Sequence, residues 1–157
     1  MKKETKNNDL YLTKEGLEKL KGELDVLINE KRPEIVKRIK EAREMGDISE
    51  NAMYDAARQE QSFAEGRIAE LEDILKTAKI SEISSVDEIG IGNKVKVHIE
   101  GSEEEFHIVG APEANPAEGK ISHESPLGVA MMGRKIGDKI DVEAPIGKLT
   151  YKVLHIS

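Results

Sequence analysis

Two runs of apolar residues at three- and four-residue spacing, separated by one short polar break, constrain this chain more than anything else in it. Leu17, Leu20, Leu24, Leu27, Ile35, Ile39 and Ala42 recur before the break, and Ala52, Ala56, Phe63, Ile68, Leu71 and Leu75 recur after it. Such spacing puts each set on one face of a helix, and that face must be buried against a partner. The break, Met45-Gly46-Asp47-Ile48-Ser49-Glu50-Asn51, is short enough to force the second helix antiparallel to the first. Helices over Thr13 to Met45 and Glu50 to Ala78 would each be on the order of 45–50 Å long at 1.5 Å per residue. The predicted unit is an antiparallel α-helical coiled-coil hairpin with the break at its tip.

Thr13, after Tyr11 and Leu12, is a good N-cap, and Glu15 then places negative charge in the first turn. Gly16 and Gly22 each cost about 1 kcal/mol relative to Ala inside a helix, a loss that pairing with the second helix has to offset. Pro33 removes a backbone donor and clashes with the preceding turn, so the helix is expected to kink or restart around Lys31 to Pro33. Ile35 and Ile39 carry the stripe past it.

The tip supports two readings. In the first, Asp47-x-x-Glu50 is a capping box for the second helix and Gly46 closes the first. In the second, the same spacing leaves two carboxylates within a turn of each other, with Ser49 between them and Arg43 and Arg58 nearby. That is half of a Mg²⁺ site, since Mg²⁺ takes one or two protein carboxylates and completes its shell with water, phosphate oxygens or a partner's ligands. Spacing alone leaves both open.

Charge narrows the partners. The net charge of −7 argues against sequence-independent duplex binding over the whole surface. Residues 1–81 hold 16 basic and 18 acidic side chains, residues 82–157 hold 8 and 13, so the acid is concentrated in the second half. Lys31 to Glu44 runs against that trend, with Lys31, Arg32, Lys37, Arg38, Lys40 and Arg43 against three glutamates. Such a run is either a solvated helix face with ordinary ion pairs or a modest nucleic-acid-facing patch. The absence of cysteine removes disulfides, thiolate catalysis and cysteine metal sites. No stretch is long and apolar enough to span a bilayer, and a cytoplasmic location fits.

After Ala78 the pattern changes. Ser81-Glu82-Ile83-Ser84-Ser85 reads as a polar linker, and from Lys94 the chain alternates, with Val95, Val97 and Ile99 on one face and Lys94, Lys96 and His98 on the other. Glu105 to Val109 follows a Gly101-Ser102 turn, and Asp141 to Glu143 with Lys148 to Ile156 form a hairpin about Pro145-Ile146-Gly147. One helix interrupts the strands, with Ser125 as N-cap, Pro126 at N1, Leu127 to Met132 as its body and Gly133 as its stop. His98, His107, His123 and His155 have no metal-ligand spacing. The expected organisation is a disordered lead over 1–9, the hairpin with its acidic tip over 10–81, and an antiparallel-sheet domain over 82–157, which makes the fold class α+β with two domains.

Arg32-Pro33-Glu34-Ile35, the run from Glu41-Ala42-Arg43-Glu44 through the tip to Arg58-Gln59-Glu60-Gln61, and Glu65-Gly66-Arg67-Ile68 resemble the bacterial Gre transcript cleavage factors, most closely the GreA type of transcription elongation factor. Ile121-Ser122-His123-Glu124-Ser125-Pro126-Leu127-Gly128 and Gly133-Arg134-Lys135-Ile136-Gly137-Asp138 resemble that family's C-terminal domain. The resemblance covers nearly the whole chain. It implies a factor whose coiled coil enters the secondary channel of a backtracked RNA polymerase, where Asp47 and Glu50 help bind a second, weakly held Mg²⁺ shared with the polymerase site. The polymerase then hydrolyses the 3′ end of its own nascent RNA, so the factor is not a self-contained enzyme. The resemblance also implies contacts of Arg43, Ser49, Asn51, Tyr54 and Arg58 with RNA or channel walls. It further implies an FKBP-like C-terminal domain whose loop Glu124, Ser125 and Pro126 grips the polymerase rim, and a monomer acting on the DNA-containing elongation complex. Position 53, commonly Glu in the family, is Met53 here.

Three functions follow from different premises: a cleavage-stimulating factor, an inhibitory channel-binding relative of the same fold, and a coiled-coil scaffold with a binding domain. Inhibitory relatives alter the tip, whereas this tip keeps both carboxylates. A fourth, prolyl isomerisation, needs an aromatic pocket, and the second half has only Phe106 and Tyr151.

Overall fold

The computed structural model describes residues 9–46, 51–83 and 85–157. They form two compact units: Leu17–Thr77, and the described residues up to Gly16 together with Ala78–Ser157. No described helix is long and apolar enough to cross a membrane.

In the helical unit, α1 (Lys14–Val26) runs through a π turn (Leu27–Lys31) into α2 (Arg32–Glu44), and α3 (Ala52–Thr77) follows. Interhelical ion pairs join Glu23 to Arg67, Arg32 to Glu65 and Arg38 to Glu60. As one number rises its partner falls, so α3 runs antiparallel, as expected. The seam of α3 is Tyr54, Ala57, Gln61, Ala64, Ile68, Leu71 and Leu75, all buried or half-buried, a strict heptad in steps of three and four. The predicted seam differs in its first half, because Ala52 and Ala56 are exposed and Phe63 is 71% exposed. Alanine at 57 and 64 faces Ile35 and Ile39 in one buried cluster.

The first arm of the hairpin, α1 through α2, solves a phase problem. Leu17, Leu20, Leu24 and Leu27 step by three and four, and continuing that rhythm would bring Lys31, Glu34, Arg38 and Glu41 into the seam. The π turn, in which the Arg32 N–H donates to the Leu27 carbonyl, admits one extra residue. One residue is about 100° of rotation, and the seam resumes at Ile28, Arg32, Ile35, Ile39 and Ala42, with Ile35, Ile39 and Ala42 buried. Pro33, which has no N–H and whose ring crowds the preceding turn, sits directly after this widened turn. The expected restart is therefore a change of register rather than a break.

The other unit begins with β1 (Tyr11–Leu12), paired in parallel with β2 (Lys79–Ile80). Its sheet has the order β5-β4-β3-β7-β6, with β3 at Lys94–Ile99, β4 at Ser102–Val109, β5 at Lys120–Ser122, β6 at Lys139–Ala144 and β7 at Gly147–Ile156. Strand β3 alternates buried and exposed as predicted. Helix α4 (Pro126–Met131) contributes Met131 to the core of Val95, Val97, Ile108, Ile140 and Val153. Three pairings are antiparallel, while β5 lies parallel to β4. The β3–β4 turn is Glu100-Gly101 rather than Gly101-Ser102. Both residues have positive φ, +46° and +82°, the combination that matches strand twist in a two-residue hairpin.

Thr13 caps α1 as expected, its Oγ1 accepting from the Gly16 N–H at 3.0 Å. The residue three beyond a Thr cap is often a glutamate that reaches back to the cap's own N–H. Here that position is Gly16, and Glu113, in a short 3₁₀ turn 100 residues away, does the reaching instead. Its carboxylate accepts from Thr13 N at 2.8 Å and from the Thr13 hydroxyl. A Cβ on Gly16 would lie 2.0 Å from Glu113 Cδ, whereas one on Gly22 meets nothing within 4 Å. Gly22→Ala is therefore expected to stabilise the protein by about 0.5–1 kcal/mol. Gly16→Ala, by displacing the capping carboxylate, is expected to destabilise it by about 1 kcal/mol or more. Thermal unfolding of the two variants should move in opposite directions, and a parallel shift would refute the remote cap.

Candidate functional site

Helix α2 ends at Glu44, and Gly46, at φ +107°, closes it with its N–H directed at the Arg43 carbonyl at 3.4 Å. A left-handed glycine just past the last turn is the ordinary way to stop a helix, and Gly46 matches its sequence expectation. Asp47, Ile48, Ser49 and Glu50 lie outside the described residues.

The other side of the tip departs from the capping-box reading. Helix α3 opens at Ala52, and its cap is Asn51. Asn51 Oδ1 accepts from the Tyr54 N–H at 3.1 Å and its backbone carbonyl from the Asp55 N–H at 3.2 Å. The cap expected of Asp47 thus belongs to Asn51, one of the residues best suited to it. Asn51 does more: its Nδ2 donates to the Ala42 carbonyl at 2.7 Å, tying the start of α3 to the end of α2. Arg43 places its guanidinium 5.8 Å from the centre of the half-buried Tyr54 ring, a cation–π contact across the same pair of helices. Arg58 donates to Gln61 at 2.8 Å on the exposed face of α3, and Met53 is 63% exposed. Of the site residues expected from sequence, the described structure brings Arg43, Asn51 and Tyr54 together and leaves Arg58 separate.

The basic run before the tip is partly used up internally. Arg32 makes a two-pronged bond to Glu65 at 2.7 and 2.8 Å, and Arg38 meets Glu60 through both guanidinium ends. These contacts raise the pKa of both arginines and hold the Glu65 carboxyl below its usual range. Farther along, the Arg67 side chain bridges Glu23 and Glu70, and its hydrogen bonds to Glu23 pull that carboxyl down as well. Arginine's fixed fork suits such two-pronged pairing. Two of the six basic residues read as a nucleic-acid patch are therefore structural.

The loop expected to grip a partner, Glu124, Ser125 and Pro126, belongs to the sheet unit and is internally braced. Ser125 Oγ accepts from the Gly128 N–H at 3.1 Å and donates to the Ser122 carbonyl at 2.7 Å, which occupies the hydroxyl. Pro126 stands at N1 of α4, as predicted. A Cβ on Gly128 would lie 1.9 Å from the Ser122 carbonyl oxygen, so only glycine lets this turn close. Glu124 and Pro126 are exposed. His123 packs edge-on against Tyr11 with ring centres 5.6 Å apart. Among the described residues no group of three or more His, Asp or Glu side chains is placed to hold a metal ion.

Comparison with known proteins covers the chain almost end to end. A family model for the transcription elongation factor N-terminal domain matches residues 10–80, and one for the GreA/GreB C-terminal domain matches residues 83–157. The transcription elongation factor GreA of Acetivibrio thermocellus is 49% identical over 154 residues, covering 96% of this chain and 97% of its own. That of Thermoanaerobacter pseudethanolicus is 50% identical over 151 residues, covering 94% and 96%. The crystal structure of GreA factor homolog 1 of Thermus thermophilus aligns with 34% identity over 96% of this chain and 99% of that one, with a TM-score of 0.46.

Proposed function

The chain belongs to the GreA/GreB family of transcription elongation factors, and on that premise we propose that it rescues backtracked RNA polymerase by stimulating hydrolysis of the nascent RNA 3′ end. In this reading the helical hairpin enters the polymerase secondary channel, and the loop at Glu124, Ser125 and Pro126 engages the channel rim. The factor works as a monomer in the cytoplasm and lends two carboxylates to a site that belongs mostly to the polymerase.

The observation that carries the reading is the identity of the cap. Asn51 accepts from the Tyr54 and Asp55 amides in the first turn of α3, so that helix has an N-cap other than Asp47. Two carboxylates three residues apart, in a chain whose relatives align with 94–96% of its length, are the groups to expect at a metal. Their chemistry fits Mg²⁺, a hard cation that accepts one or two protein carboxylates and takes its remaining ligands from water, phosphate or a second protein. Held there by Asp47 and Glu50, a second Mg²⁺ would polarise a water and offset charge on the phosphate under attack. The rest falls to the chain's own residues: Asp47 and Glu50 bring negative charge to the cation, and Ser49, Arg43, Tyr54 and Arg58 face the RNA or the channel wall.

The test is a halted, backtracked bacterial elongation complex carrying labelled RNA. Addition of the protein should shorten the RNA from its 3′ end in a Mg²⁺-dependent manner, and an unchanged RNA would defeat the proposal. With Arg32 and Arg38 committed to α3, fewer cations remain to hold extruded RNA. Short fragments from briefly backtracked complexes are therefore expected. Preferential release of long fragments from deeply backtracked complexes would contradict that part.

A further inference from the structure

We propose that Asn51 is a positioning residue for transcript cleavage, clasping the end of α2 to the start of α3 and so fixing both ends of the segment that bears Asp47 and Glu50. The inference rests on the function proposed above. It also changes the role of Asn51, which the family resemblance placed against RNA or the channel wall.

A primary amide has a donor end and an acceptor end, and Asn51 spends both inside the protein. The acceptor caps Tyr54 N at 3.1 Å, and the donor reaches the Ala42 carbonyl at 2.7 Å. Ala42 stands in the last turn of α2, where the regular partner of its carbonyl would be the amide at position 46. That amide turns instead to Arg43, which leaves the Ala42 oxygen for Asn51. Ala42 is 1% exposed, so an unmade bond there would leave a buried carbonyl without a partner. The Arg43–Tyr54 contact joins the same two helix ends a second time.

No other side chain does both jobs. Aspartate keeps the cap and loses the donor, serine keeps the cap and is too short to reach Ala42, and glutamine is a poor cap. The clasp lies outside the metal-binding carboxylates and acts on them through the chain ends. In a reaction that depends on placing charge beside a cation, displacement by 1 Å can cost about 100-fold in rate.

The variants Asn51→Ser and Asn51→Asp should separate this role from capping and from substrate contact. Both should melt within a few degrees of the parent, because the cap survives. For Asn51→Ser the concentration giving half-maximal cleavage should be unchanged, while the maximal rate at saturating protein should fall about tenfold or more. Hydrogen exchange of the amides at residues 43–46 should quicken while that of Tyr54 stays slow. A maximal rate equal to the parent's would overturn the proposal. A raised half-maximal concentration with an intact maximal rate would overturn it differently, by making Asn51 a contact residue. Should the parent itself fail to stimulate cleavage, the proposed function falls, and unchanged exchange at residues 43–46 in the variant would then sink the clasp separately.

Discussion

Asp47→Asn is expected to remove most cleavage while leaving the fold and polymerase binding intact. Asparagine matches aspartate in size and removes only the charge. Had Asp47 been the cap of α3, the substitution would still have been mild, since the two residues cap about equally well. With Asn51 as the cap, α3 keeps its N-cap in Asp47→Asn, so a loss of cleavage reports on the charge. A carboxylate that draws a weakly held cation is another matter. Loss of one preorganised charge-stabilising group costs roughly 100- to 1,000-fold in rate, and raised Mg²⁺ should restore part of it by mass action. Glu50→Gln should behave alike. Cleavage rate at limiting and at high Mg²⁺, beside thermal unfolding and competition for polymerase, decides the matter. Parent-like cleavage by Asp47→Asn at limiting Mg²⁺ would show that the carboxylate is not a ligand.

How much of this was readable beforehand depended on whether the determining contact was local. The hairpin followed from periodicity, and Ile35, Ile39, Ala42, Ile68 and Leu71 are buried as that pattern required. The π turn left a trace, because the stripe steps by eight from Leu27 to Ile35 where a heptad steps by seven. Carried strictly, the heptad count also selects Ala57 and Ala64 over Phe63. Phe63 is the larger apolar side chain but lies on the exposed face, and small residues that let two helices approach announce themselves poorly.

Long-range partners were not readable. Nothing near Thr13 in sequence names Glu113 as its capping carboxylate, although a glycine where the capping-box glutamate belongs is a hint that the space is taken. The parallel edge strand β5 has only three residues, too few for alternation to show. At the tip, Asp47-x-x-Glu50 satisfies the capping-box spacing, and Asn51, four residues on, is by residue type an equally good N-cap. Spacing cannot choose between two adequate caps, and the hydrogen bonds of Asn51 to Tyr54 and Ala42 do.

Gly110→Ala is expected to give the largest loss of stability of any single methyl group added to the sheet unit. Gly110 has φ −71° and ψ 155°, which any residue adopts, so the backbone would accept alanine without strain. Space is what fails: a Cβ would stand 1.5 Å from the Tyr11 carbonyl oxygen and 2.5 Å from its carbon. Both obstacles are backbone, so no rotamer change relieves them, and the lead strand must move away. With it go the bonds from Lys79 N to the Leu10 carbonyl and from Ser81 N to the Leu12 carbonyl, the burial of Leu12, which is 0% exposed, and the cap between Thr13 and Glu113. Exposing Leu12 costs about 2–3 kcal/mol, and losing the cap adds about 1–2 kcal/mol. Together they correspond to a midpoint lowered by roughly 10–15 °C in a chain of this length. The amides of Thr13, Lys79 and Ser81 should lose their protection from hydrogen exchange at the same time. If Gly110→Ala melts with the parent and those amides stay protected, the lead strand is not seated on Gly110, and the remote cap on α1 would need another support.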